Sequence, residues 1–356
     1  MKIMTIVGAR PEFIQTAPVT QAFRRRHTDV LVHTGQHYDD NMSAIFFREL
    51  GLPEPEIHLG VGSGSHAEQT GQMLIRLEQI MLREKPDWVV VFGDTNSTIA
   101  GALAAAKIHI PVAHIEAGLR SYDRAMPEEI NRVMTDHLSS LLLPPTAAAV
   151  ENLRKEGLTA NVCLVGDVRV DVLAGMVARA YDRRPALLAQ TGLKDGQAFA
   201  LATIHRASNT DDRARLADIV QAFNTLDLPV VLPMHPRLRK MAGEFGLTFG
   251  GNVRAVEPLG FLDMVALLDA CRIVITDSGG LQKEAYMLRR PCVTVRDTTE
   301  WVETVESGWN RLTEPEDFAA AARAALLPPP AEHPDFYGAV GVGERIVDAL
   351  ESAGRC

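Results

Sequence analysis

Cysteine is scarce in this 356-residue chain, and the four it has, Cys163, Cys271, Cys292 and Cys356, stand far apart. No CxxC pair occurs, which excludes a zinc knuckle and a thioredoxin-type motif. Basic charge is also in short supply: 36 Lys and Arg stand against 45 Asp and Glu, a formal net charge of −9. Gripping nucleic acid or an anionic membrane draws on clustered cations, so neither is expected as a partner. The basic run Arg24-Arg25-Arg26 closes an expected helix, where it suits the negative end of the helix dipole. No apolar stretch is long enough to span a bilayer, and Met1 leads directly into the first expected strand without a signal-peptide pattern. The expected location is the cytoplasm. GxGxxG, HExxH and GxSxG are all missing, which removes the dinucleotide fingerprint, the helical zinc motif and the nucleophile elbow. His33 and His37 straddle a strand end and a glycine turn rather than a helix face, so no metal is expected.

What the chain does contain is rhythm. Short apolar runs at residues 3–7, 30–33, 88–92, 112–115 and 162–165 alternate with helix-length patterns such as 67–83, 98–107 and 128–138. A second series follows at 199–202, 230–232, 253–256, 273–276 and 292–295. Apolar runs of this kind suit strands buried on both faces, and the alternation implies parallel sheets covered by helices. The length is too great for one ordinary core, and about five strands fall in each half. The expected fold class is therefore α/β, with two doubly wound parallel-sheet domains. The first spans residues 1–167, the second residues 168–342, and a last helix within 343–356 returns to the first. Ligands of such sheets bind beyond the carboxyl ends of the strands, and two facing domains would surround an interdomain cleft.

The unusual chemistry falls at those strand ends. Gly8-Ala9-Arg10-Pro11-Glu12 follows the first strand; Gly8 permits a tight turn and Arg10 can reach an anion. Gly93-Asp94-Thr95 follows the run at 88–92, so Asp94 is placed either to cap the next helix or to act on a ligand. Glu116 ends an apolar strand, a costly place for a carboxylate without a partner or a task. Glu128 and Arg132, four apart, share one helix face and can also form a surface ion pair. His205-Arg206 and His235-Pro236 follow two strands of the second series. Asp277-Ser278-Gly279-Gly280 joins a strand to a helix and makes a phosphate cradle of backbone N–H groups. Glu284, one turn into that helix, is placed to accept hydrogen bonds from hydroxyls such as those of a ribose. Carboxylates and a histidine beside a diphosphate-and-ribose cradle suggest acid/base chemistry on a sugar tethered to a nucleotide.

At these residues the chain resembles the non-hydrolysing UDP-N-acetylglucosamine 2-epimerases. The motifs that carry the likeness are Gly8-Ala9-Arg10-Pro11-Glu12, Gly93-Asp94-Thr95, His114-Ile115-Glu116-Ala117-Gly118-Leu119-Arg120, Pro127-Glu128-Glu129-Ile130-Asn131-Arg132 and Thr276-Asp277-Ser278-Gly279-Gly280, in order along the chain. The resemblance implies two Rossmann-like domains in the glycosyltransferase-B arrangement, a homodimer, and no cofactor or metal. It implies elimination of UDP to a 2-acetamidoglucal and re-addition with inversion at C2, interconverting UDP-GlcNAc and UDP-ManNAc for cell-surface polysaccharide precursors. It assigns Asp94, Glu116, Glu128 and His205 to catalysis, with His205 and Arg10 steadying the departing diphosphate. Arg10, Arg132, Ser278, Gly279, Gly280 and Glu284 would bind substrate, and Gln36, Arg206 and His235 would serve an allosteric UDP-GlcNAc site.

The chain also departs from the family pattern. Gln15 stands where a lysine is common, and Lys283 and Trp301 replace a glutamate and an arginine, as if by linked exchange of charge. These forms look like the branch that includes epimerases of UDP-2,3-diacetamido-2,3-dideoxyglucuronate, which is the alternative substrate. On that reading Lys283 or its neighbourhood favours a more anionic sugar; otherwise Lys283 is a solvated helix residue. His205-Arg206-Ala207-Ser208 and the stretch Tyr38-Asp39-Asp40 differ from the pattern tied to allostery. More distant alternatives are a glycosyltransferase of the same architecture, a hydrolysing epimerase and a non-catalytic UDP-sugar sensor.

Overall fold

The computed structural model describes residues 1–36 and 51–353, apart from the side chains of Arg10, Pro11 and Ala319. The stretch Tyr38-Asp39-Asp40, His37 and Cys356 lie outside the described residues. By contacts the chain divides into two units, Met1–Ala174 with Asp335–Cys356, and Gly175–Pro334. The division falls inside the helix Arg169–Tyr181, slightly beyond the boundary at 167 expected from sequence.

Each unit is built on a six-stranded, wholly parallel sheet. The first contains β1 (Lys2–Val7), β2 (Thr28–His33), β3 (Ile57–His58), β4 (Trp88–Phe92), β5 (Val112–Ile115) and β6 (Leu141–Leu143), in the order β3-β2-β1-β4-β5-β6. The second contains β7 (Ala200–Thr203), β8 (Val230–Pro233), β9 (Val253–Val256), β10 (Ile273–Thr276), β11 (Cys292–Thr294) and β12 (Asn310–Leu312), in the order β12-β11-β10-β7-β8-β9. Both are the same doubly wound order, read from opposite edges. The central strands have helices on both faces, which is why β4 and β10 are buried along their whole length and read as unbroken apolar runs.

Two expectations need correction. There are six strands in each sheet, not about five, because β3, β6 and β12 are only two or three residues long. The run at 162–165 is not a strand of the sheet; Val162 makes one isolated bridge to Leu142 in β6.

In the first unit the last helix, Val342–Ala353, packs on the first, Arg10–Arg26. Its buried face is Val342, Ile346, Val347 and Leu350, and Gly343 permits close approach, since a Cβ there would lie 3.0 Å from the Pro18 carbonyl. The run Arg24-Arg25-Arg26 does more than complement a helix end. Arg25 pairs with Glu344, Arg26 bonds Asp348 at 2.7 Å and Glu351 at 2.6 Å, and Arg24 bonds Glu56 at 2.6 Å. The loop that follows β5 is equally constrained. Gly118 has φ +81°, and a Cβ on it would lie 2.4 Å from the Ala149 carbonyl oxygen. Gly157 has a similar φ of +79° but open space around it. Gly118→Ala should therefore lower unfolding stability in urea by about 2 kcal/mol or more, and Gly157→Ala by only about 1 kcal/mol. Equal losses would show that the contact with Ala149 is easily relieved.

Candidate active site

In a doubly wound sheet the crevice lies at the strands where the order reverses, here β1 and β4 in the first unit and β7 and β10 in the second. The residues singled out from sequence gather at these two places.

At the first, Glu12 reaches back from the opening turn of the helix Arg10–Arg26. It accepts hydrogen bonds from Gly8 N at 2.5 Å, Ala9 N at 2.8 Å, Thr95 Oγ1 at 2.5 Å and Thr98 Oγ1 at 3.1 Å. One buried carboxylate thus ties the turn after β1 to the turn after β4. Gly8 must be glycine, because a Cβ would lie about 2 Å from both the Ser97 and Thr34 hydroxyls. Capping of the helix Asn96–Lys107 falls to Thr95, which accepts from Ser97 N and Thr98 N. That frees Asp94 from the capping role open to it in the sequence. Asp94 instead pairs with Arg132, which is buried and also lies 3.3 Å from Glu129. The alternative of a surface pair between Glu128 and Arg132 is thereby corrected: Arg132 turns inward, and Glu128 stays exposed in the first turn of the helix Pro127–Leu138. Burial raises the pKa of Asp94 above the usual carboxylate range; Arg132 opposes this, while Glu116 and Glu128 add to it.

Glu116 stands one strand over, at the end of β5. Its backbone has φ +72°, a left-handed conformation that is uncommon for a residue with a side chain. Its carboxylate accepts a hydrogen bond from Gln15 Nε2 at 2.9 Å and stands over Gly93, since a Cβ there would lie 3.4 Å from Glu116 Oε2. Beneath it, His114 is fully buried, with Asp136 at 2.7 Å from Nδ1 and the Gly93 carbonyl at 2.7 Å from Nε2. Gln36 accepts from Ser97 N at 3.0 Å and Ser97 Oγ at 2.7 Å. Arg10 opens its helix, and its side chain lies outside the described residues.

At the second place, Ser278 is the cap residue of the helix Gly279–Met287, and Ser278, Gly279 and Gly280 remain half-exposed around the helix N-terminus. The first N–H groups of a helix have no carbonyl partner within it, so they can face an anion. Gly279 is held close to Glu300: a Cβ would lie 2.8 Å from Glu300 Oε1. Glu284 is largely buried behind this turn. His205 Nδ1 lies 3.0 Å from Asp277, and its ring is 5.5 Å from that of His235. His235 itself caps the helix Pro236–Phe245, accepting from Arg237 N at 3.2 Å. Arg206 N donates to Asp277 at 2.9 Å.

The alternative of a solvated Lys283 is corrected. Lys283 is 2% exposed, with its ammonium 4.1 Å from the centroid of the buried Trp301 ring. The two exchanged residues are thus in direct contact as a cation–π pair. Sequence reading also assigned no role to Glu12, Gln15 or Asp277. The signal available for Asp277 was the one used for Glu116: a charged residue directly after a buried strand.

The fold is that of a two-sheet α/β protein, with a cluster of carboxylates at one switch point and a glycine-rich helix N-terminus at the other. Residues 21–351 match the UDP-N-acetylglucosamine 2-epimerase family. The chain is 49% identical over 316 residues to a UDP-N-acetylglucosamine 2-epimerase homolog of Methanococcus maripaludis, covering 88% of each. It is 46% identical over 360 residues to the UDP-2,3-diacetamido-2,3-dideoxy-D-glucuronate 2-epimerase of Pseudomonas aeruginosa, covering 98% of this chain and 99% of that protein. Among solved structures, the UDP-GlcNAc 2-epimerase of Methanocaldococcus jannaschii, in complex with UDP-GlcNAc and UDP, superposes with a TM-score of 0.89 at 42% identity, covering 99% of this chain and 100% of that one. The chain belongs to the UDP-N-acetylglucosamine 2-epimerase family, and it is an isomerase.

Burial pushes the Glu12 carboxyl from 4.5 up to about 7, although Thr95, Ala9, Gly8 and Thr98 all donate to it. The folded state therefore keeps a proton that the unfolded state releases above pH 4.5. The corresponding stability is present at low pH and is lost as pH rises toward 7. Asp29, raised to about 6 mainly by burial, acts in the same direction. Glu12→Gln should flatten the fall in melting temperature between pH 5 and 7, leaving the share due to Asp29. An unchanged slope in thermal melts would assign the whole effect elsewhere.

Proposed function

We propose that the chain interconverts UDP-GlcNAc and UDP-ManNAc without net hydrolysis. The observation that carries this reading is the pair Asp94 and Glu116 at adjacent strand ends, one with its acidity weakened by burial. The C2 proton of the sugar has no neighbouring carbonyl and is weakly acidic. Removing it needs a positioned base and a stabilised leaving group. One carboxylate takes the C2 proton while the C1–O bond breaks to release UDP, leaving a C1=C2 double bond. A proton then arrives on the opposite face of C2 as a UDP oxygen re-forms the bond to C1. Asp94, Glu116 and Glu128 are the acid/base groups, with Arg132 holding Asp94 in place. Ser278, Gly279, Gly280 and Glu284 bind the diphosphate and ribose, with His205 and Arg10 steadying UDP as it leaves. Gln36, Arg206 and His235 remain the residues proposed for an allosteric nucleotide sugar. The cytoplasmic location and the supply of cell-surface polysaccharide precursors follow from the same reading. No helix among the described residues is long and apolar enough to cross a membrane.

A second substrate, the UDP-linked 2,3-diacetamido uronate, is favoured by the 46% identity to the Pseudomonas enzyme and by the Lys283–Trp301 exchange. With Lys283 buried, any preference for that sugar would act through the neighbourhood rather than through the ammonium itself.

Incubation with UDP-GlcNAc in deuterated water should give UDP-ManNAc carrying deuterium at C2. Asp94→Asn or Glu116→Gln should lower kcat by about 10²–10⁴-fold with UDP affinity little changed. Faster turnover of the diacetamido uronate would transfer the assignment to that sugar. Free N-acetylmannosamine, or no exchange with either sugar, would overturn the reading.

We propose a homodimer as well. Ile75 and Leu82, seven apart on the helix His66–Glu84, are 63% and 57% exposed on one face, an apolar pair suited to a second copy. Light scattering should give twice the chain mass, and Ile75→Asp with Leu82→Asp should reduce it to the monomer. A wild-type monomer at micromolar concentration would refute the dimer.

A further inference from the structure

Asp277 has no side-chain exposure to solvent, directly after the fully buried strand β10. An ionised carboxylate there requires compensation, and among the described residues the donors that supply it come from the segment following β7. His205 N donates to both oxygens at 3.0 and 3.1 Å, and Arg206 N donates at 2.9 Å. Asn209 Nδ2 donates at 3.2 Å, and the His205 ring nitrogen Nδ1 lies 3.0 Å from Oδ1. A carboxylate offers about four lone-pair directions, and these four groups fill them.

We propose that Asp277 is the positioning residue of His205, fixing its proton on Nδ1 and presenting Nε2 to the leaving diphosphate. Burial works against the charged form of Asp277, but the hydrogen bond and charge of His205, with the backbone N–H groups, outweigh it and hold the carboxyl below its usual range. Ionised, it can only accept, so Nδ1 must be the donor. The backbone N–H bonds of His205 and Arg206 clamp the chain at 205 and 206, leaving the imidazole little choice of direction. Asn209 has a second partner, the Val295 carbonyl at 2.9 Å, so it braces Oδ2 while the ring nitrogen lies against Oδ1. The charged and titratable groups nearby are Arg206 on the same segment, His235 from the end of β8, and Arg215, which reaches Asn209 at 3.3 Å. Asp277 therefore plays toward His205 the part that the third member plays in a catalytic triad, although His205 acts here on a phosphate oxygen.

The proposal rests on the reading of His205 as a partner of the diphosphate, and the test separates the two. Long-range proton–nitrogen correlation on the full chain with ¹⁵N-labelled histidine reads the His205 tautomer directly. The neutral ring should carry its proton on Nδ1, and that preference should be lost in Asp277→Asn. In the same variant kcat should fall by about 100-fold or more, whereas Asn209→Ala, which removes a brace but not the imidazole bond, should cost less than about tenfold. A wild-type ring protonated on Nε2, or equal losses in the two variants, overturns the proposal, and the wild-type spectrum decides it even if Asp277→Asn does not fold. UDP affinity in His205→Gln tests the underlying reading on its own. Unchanged affinity and turnover there would remove His205 from the diphosphate site while leaving the tautomer result intact.

Discussion

Asp136 lies beneath the turn that follows β5, with His114 Nδ1 at 2.7 Å, Arg120 at 2.7 Å and Gly118 N at 3.1 Å. A charge buried this deeply would cost several kcal/mol if it stood alone. Burial does push its carboxyl up, but His114 and Arg120 more than reverse the effect and hold it below the usual range. Arg120 is in turn bound by Glu156 through two bonds of 2.7 Å. This buried network fixes the path of residues 116–120, so that Glu116 turns its side chain over Gly93 in spite of its left-handed backbone. Asp277 does comparable work in the second sheet. In each unit a carboxylate with no side-chain exposure bonds one histidine and backbone N–H of the turn after a strand.

The position of these turns follows from the sheets. Parallel strands buried on both faces have no polar side chains to spare, so polar groups collect where the strands end. The doubly wound order then separates neighbouring connections at β1/β4 and β7/β10 and leaves those ends uncovered. Glu12 belongs to the same logic. It is acceptable in the interior only because four donors from two turns converge on it, and the convergence holds Gly8 and Thr95 in register. The left-handed backbone of Glu116, which costs roughly 1–2 kcal/mol, is affordable for the same reason: the loop around it is held independently of that residue.

Much of this was legible in the sequence because it is local. Apolar runs of three to five residues identified nine of the twelve strands within a residue or two, and the carboxylates at their ends singled out Asp94 and Glu116 as candidates. The strands β3, β6 and β12 were missed because two or three residues cannot display a period, and β6 follows its helix after only Ser139 and Ser140. Other features depend on distant partners. Arg26 pairs with Asp348 and Glu351 from the far end of the chain, and Arg132 chooses Asp94 from another turn over the nearby Glu128. Lys283 was misjudged because lysine is seldom buried. Its accommodation depends on Trp301, eighteen positions later, whose ring face can receive a cation in place of water.

The contact between Gln15 and Glu116 explains why a neutral residue can stand at position 15. The amide is buried, and its Nε2 donates to Glu116 Oε2 at 2.9 Å. A cation in that place would favour the charged carboxylate and make it a weaker base. The amide orients one oxygen of Glu116 without adding a charge beside it.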